Sequence, residues 1–150
     1  MNEFELIARL TKTLPGNDSV IVGVGDDCAV LAGGDERDLL FKTDAVVEGI
    51  HFTKETPPEK VGRKALARCL SDIAAMAGTP DAALVTLGLP KSYEVELMEK
   101  IYAGMSALAK EHHVAIVGGE TTTSPERMFL SISLLGHVAK GKAVLRLGAK

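Results

Sequence analysis

Apolar residues recur every three or four positions in some stretches of this chain and every second position in others, and the two patterns alternate along its length. A period near 3.6 buries one stripe of a helix, whereas a period of 2 buries one face of a strand. Phe4, Ile7, Ala8 and Leu10 predict a short amphipathic helix, closed by the turn-forming LPGND at 14–18. SVIVGVGDDCAVL (19–31) reads as a strand broken by its glycines, and DLLFKTD (38–44) as a second strand. Thr56, Pro57 and Pro58 suit a helix start, after which Val61, Ala65, Cys69, Ile73 and Ala77 recur every four residues up to Gly78. AALVTLGLP (82–90) predicts a buried strand, and Ser92 the cap of a second long helix over 93–112. VAIVGGE and RMFLSISLLGHVA predict two more strands. This order implies an α/β (α+β-like) fold, a mixed sheet with helices on one face.

Composition removes several classes of function. A chain of 150 residues, 46% hydrophobic and 25% charged, is one ordinary globular domain with enough apolar residues for a core. The net charge is −3 and the aromatic residues are two Tyr and four Phe, so neither a basic run nor an aromatic ladder offers itself to a nucleic acid. MNEFELIARL carries acids where a secretory signal would carry bases, and no apolar run approaches membrane-spanning length. Cys28 and Cys69 lack paired metal spacing and read as reduced, buried thiols of a cytoplasmic protein.

The acids are placed less ordinarily. In VGVGDDCAV (22–30), Asp26 and Asp27 stand together beside glycines, which suits either a turn or a hard cation held by both carboxylates. Asp27 is expected to end the first strand, Asp44 the second, and Glu120 the strand after the second long helix; strand ends are where α/β folds collect ligands. Asp72 lies in the small, apolar SDIAAMAG, where its bland reading is an i, i+4 ion pair with Arg68. Each acid alone reads as solvated, but four acids beside small residues favour a shared cation site. Oxygen ligands suit Mg²⁺, which bridges acids to phosphates. Zinc is disfavoured because His51, His112, His113 and His137 lack ligand spacing. IVGGETTT (116–123) offers backbone N–H groups and hydroxyls to a phosphate, or is a plain turn. GVGDDC has Cys28 in place of the third glycine of a dinucleotide fingerprint, and GHVAKGKA has Ala143 where a P-loop needs a hydroxyl, so neither common nucleotide loop is present.

EFELIARL, VGVGDDCAVL, KTDAVVEGIHF, SDIAAMAGTP and VGGETT, in this order and at these distances, resemble the thiamine-monophosphate kinases of the aminoimidazole-ribonucleotide-synthetase-like superfamily. The resemblance spans essentially the whole chain but only the N-terminal one of that family's two domains. It implies that residues 1–150 are an N-terminal ATP/Mg-binding and dimerisation domain, with a C-terminal domain absent from this chain. It further implies ATP-dependent phosphorylation of thiamine monophosphate to the diphosphate, several Mg²⁺ ions, a homodimer through the sheet, and no activity of the isolated domain. By position it assigns Asp27, Thr43, Asp44, Asp72 and Glu120 to metals, Tyr102, Gly119, Glu120 and Arg146 to ATP, and His51 to the thiamine substrate. No nucleophilic or other catalytic residue is assigned. Two positions depart from the family pattern: Glu120 replaces the usual Asp or Asn, and Lys42 stands where a small hydroxyl or thiol residue is common. The Lys42 ammonium would compete with a metal or contact a phosphate. The alternatives are another ATP-using member of the superfamily, or a non-enzymatic, dimerising Mg-nucleotide module.

Overall fold

Residues 2–147 are described by a computed structural model. In order they form α1 (Glu3–Thr11), β1 (Val20–Val22), β2 (Ala29–Ala32), β3 (Arg37–Val47), α2 (Pro58–Ala75), β4 (Thr79–Leu89), α3 (Val95–Glu111), β5 (Ala115–Thr123) and β6 (Phe129–Ala139). The strands make one sheet in the order β1-β2-β3-β6-β4-β5. Only β4 and β5 run parallel, as expected of strands joined by a helix crossover. The remaining neighbours are antiparallel. The mixed α/β sheet read from the alternating periods is the fold observed.

Burial alternates along the central strands. Leu40 and Val46 of β3, Leu130, Ile132 and Leu134 of β6, and Ala83, Val85 and Leu87 of β4 are buried on one face. Helix α2 covers that face over β3, β6 and β4, while α3 packs on α2 and reaches β5. The two helices approach so closely that a Cβ at Gly62 would collide with the Ile101 carbonyl, and one at Gly104 with the Glu59 carbonyl. Helix α1 has its Asn2–Glu5 capping box but buries no residue and packs on no other element. The other sheet face carries Phe41 and Leu84, each about half exposed.

Three local expectations are corrected. Residues 19–31 form two antiparallel strands rather than one, because Gly23–Cys28 loops out, with Gly25 at a φ of 128° that favours glycine. Asp27 therefore precedes β2 instead of ending a strand. Asp44 and Glu120 lie inside longer strands, since β6 pairs β3 as far as Val47↔Phe129 and β4 pairs β5 as far as Leu89↔Thr123. Ser92 does not cap α3: the helix starts at Val95, and the Glu94 carbonyl accepts the first N–H bonds, from Leu97 and Met98.

Candidate metal and phosphate site

Lys42 and Asp44 are two residues apart on β3, and their register partners Leu134 and Ile132 are core residues. Both side chains therefore leave the sheet on its helix-covered face. Arg68 and Asp72, one helical turn apart, share the face of α2 that meets them. The pairing runs between the elements rather than along the helix. Arg68 forks onto Asp44, with Nε 3.1 Å from Oδ2 and Nη2 3.0 Å from Oδ1. Lys42 Nζ stands 2.7 Å from Asp72 Oδ2. The i, i+4 pair of Arg68 with Asp72 is not formed, because the bidentate geometry at Asp44 takes the guanidinium instead.

The 23–28 loop adds Asp26 and Asp27. Arg146, on the segment following β6, bonds Asp27 Oδ1 through Nε at 3.1 Å and through Nη2, and its backbone N–H donates to Asp26 Oδ2 at 3.0 Å. Arg146 thus joins residues 119 and 120 positions earlier in the chain. The hydrogen bond from Arg146 is the main reason that the Asp27 carboxyl titrates below its ordinary 3.8. Burial opposes charge on Lys42, but its hydrogen bond to Asp72 and the attraction of Asp72 and Asp44 more than offset this and raise its pKa. Behind the cluster, burial pushes Cys28 up to about 11 and Cys69 up to about 12, so both thiols stay protonated near neutral pH.

Two open depressions flank the Lys42–Asp72 pair. One, of about 650 Å³, is lined by Gly23, Gly25, Asp26, Asp27, Lys42 and Thr43 among others. The other, of about 410 Å³, is lined by Asp44, Lys64, Arg68, Ser71 and Asp72 among others. The Thr43 hydroxyl lies on the opposite face of β3, 3.4 Å from the hydroxyls of Ser131 and Ser133.

The remaining sequence candidates stand apart. Glu120 is on β5 opposite Thr86, with β4 and β6 between it and β3, which is roughly 14 Å at about 4.8 Å per strand. Gly119 sits at a φ of 154°, packed so closely on the Val85 carbonyl that no Cβ would fit. Tyr102 is half-buried on α3 and lines neither depression; burial raises the pKa of its hydroxyl. His51 Nδ1 accepts the Val47 N–H at 3.0 Å, which leaves the ring proton of neutral imidazole on Nε2. The residues after His51 lead into a cavity of about 370 Å³ that includes Phe52, Tyr93, Leu97, Glu48 and Glu126.

Sequence reading missed Arg68 as the partner of Asp44, and Asp38. Asp38 is buried, and its Oδ2 accepts the Gly141 N–H at 2.8 Å, which fastens the turn that begins the Arg146 segment. Its signal was an acid at an inward position of an alternating strand. The donor set of Asp27, Asp44 and Asp72 is all oxygen, the chemistry of a hard cation. Their charge is met here by Lys42, Arg68 and Arg146, and among the described residues no three His, Cys, Asp or Glu side chains group closely enough to hold one ion.

The chain and its fold match known proteins. Residues 25–138 match the family described as AIR synthase related protein, N-terminal domain. The chain is 37% identical over 151 residues to thiamine-monophosphate kinase of Bacillus subtilis strain 168, covering 100% of this chain and 46% of the relative. It is 38% identical over 149 residues to thiamine-monophosphate kinase of Escherichia coli K12, covering 99% and 45% respectively. A solved structure described as AaThiL complexed with AMPPCP and TMP superposes with a TM-score of 0.87 at 35% identity, covering 99% of this chain and 45% of that one. The chain spans about half the length of the relatives it matches.

Proposed function

This chain belongs to the AIR synthase related protein, N-terminal domain family, and on that premise we propose that it is the ATP- and Mg²⁺-binding, dimerising half of a cytoplasmic kinase that converts thiamine monophosphate to thiamine diphosphate. The observation that carries this reading is that 99% of this chain superposes on 45% of the AaThiL chain, whose structure holds AMPPCP, an ATP analogue, and TMP. The acid cluster supplies matching chemistry. Asp27 and Asp44, joined by Asp72 where Lys42 yields it and by Thr43 through its backbone only, would hold Mg²⁺, which when bound neutralises phosphate charge. The planar fork of Arg146 suits a phosphate, and the exposed backbone of Gly119, with Glu120 and Tyr102, would contact ATP. His51 would meet the thiamine substrate. The neighbouring cavity, with Phe52, Tyr93 and carboxylates, suits the cationic ring of thiamine.

The acceptor is already an anion, so transfer needs no general base and no enzyme nucleophile. A terminal phosphate oxygen of thiamine monophosphate attacks the γ-phosphorus in line, the new O–P bond forms, and the bond to ADP breaks. The work left to the protein is positioning and charge neutralisation. The test has two arms. Residues 1–150 should bind AMPPCP in calorimetry only when Mg²⁺ is present, and should make no thiamine diphosphate. A polypeptide carrying this chain together with the relatives' remaining length should make it from ATP. No nucleotide binding in the first arm, or no product in the second, would overturn the reading.

A further inference from the structure

Lys42 is the cation most firmly built into the acid cluster. Its backbone is paired to β6 at Leu134, and Phe41 beside it is paired to β2 at Ala29, so the strand cannot withdraw. Its side chain is 24% exposed, against 39% for Arg68 and 63% for Arg146. Its ammonium contacts Asp72 at 2.7 Å and lies within the fields of Asp44 and Asp27. The Arg68 guanidinium bonds Asp44 and the Arg146 guanidinium bonds Asp27, but Lys42 lines one depression while its partner Asp72 lines the other. An ammonium is a compact point charge with no planar geometry to satisfy, so it can stand where an ion would.

We propose that Lys42 is a resident counter-cation that satisfies Asp72 in place of a divalent ion. The inference rests on the reading of these acids as a metal site. It follows that Asp72 contributes little to metal affinity while Lys42 is present, and that an entering ion must displace the ammonium or use the other oxygens. Removing the charge at residue 42 opens a place for a metal.

The experiment is a double-mutant cycle read by Mn²⁺ titration of the purified chain, with no nucleotide present. Lys42→Ser should bind Mn²⁺ roughly tenfold or more tightly than wild type, as expected when a unit positive charge a few ångströms away is removed. Lys42→Met, which keeps the apolar stem, should do the same, and this separates charge from packing. Asp72→Asn should leave affinity nearly unchanged in the wild-type background but cost most of the gain in the Lys42→Ser background. Equal Mn²⁺ affinity of wild type and both Lys42 variants would overturn the role of Lys42 alone. If neither wild type nor the Lys42 variants bind Mn²⁺, the metal reading falls and this inference with it.

Discussion

At Asp27 a single side chain ties the acid cluster to the far end of the chain. Arg146 holds the Asp27 carboxyl below 3.8, so this group contributes stability that is fully present above the ordinary aspartate range and is lost as pH falls through the lowered folded-state value. Arg146→Gln should therefore return the Asp27 titration, followed by carboxyl NMR, toward about 3.9. An unmoved titration would mean that the contact is not made in solution. Cys28 and Cys69 give a second check. Buried and protonated, neither should react with a thiol reagent at pH 8 until the protein is unfolded, and prompt labelling of either would contradict the packing around the cluster. Asp27, Asp44 and Asp72 were legible as candidates because they sit beside glycines and small apolar residues, but the same signal chose Glu120, which stands about three strands away. Their partners were not, since Arg68 reaches Asp44 across 24 positions and Arg146 reaches Asp27 across 119. Sequence spacing shows which residues share a face of one element but not which element faces it.

Elements were read well where the apolar period was strong and poorly where glycine interrupted it. The long helices and β3, β4 and β6 follow from repeated inward positions, whereas residues 19–31 carry a single apolar pattern that the Gly23–Cys28 loop folds back on itself. The crossing of α2 on α3 was not legible, because a glycine in a helical pattern does not announce what lies against it. Gly62→Ala should destabilise the chain by about 1–3 kcal/mol in denaturant unfolding, since its methyl would meet the backbone carbonyl of Ile101 rather than a side chain that can move. A change within experimental error would show that the helices can separate without cost. Helix α1 is the opposite case. Nine residues long and packed on no other element among the described residues, it leans mainly on its cap and intrinsic propensity, which is marginal for a helix of that length. Its amides should exchange with deuterium first and those of β3 and β6 last; slow exchange in α1 would reveal a covering surface.

For the whole molecule, the decisive asymmetry is that the described residues cover only one face of the sheet. Helices α2 and α3 bury the inward residues, while the other face presents Phe41 at 48% and Leu84 at 47% exposure, with the hydroxyls of Thr43, Ser131 and Ser133 between strands. At one margin of that face lies β5, a nine-residue edge strand whose residues are mostly exposed and whose only charge is Glu120. A long edge with so little charge, beside a half-apolar face, is what soluble chains ordinarily protect. A second copy related by a two-fold axis would cover both faces at once, because each chain presents the same patch. Light scattering at tens of micromolar should therefore give twice the 15.8 kDa chain mass. Leu84→Lys, which places a charge on the open face beside the β5 edge, should return it to a monomer with its helical content intact. A wild-type monomer at that concentration would leave the open face, with Phe41 and Leu84 half exposed, without its proposed cover.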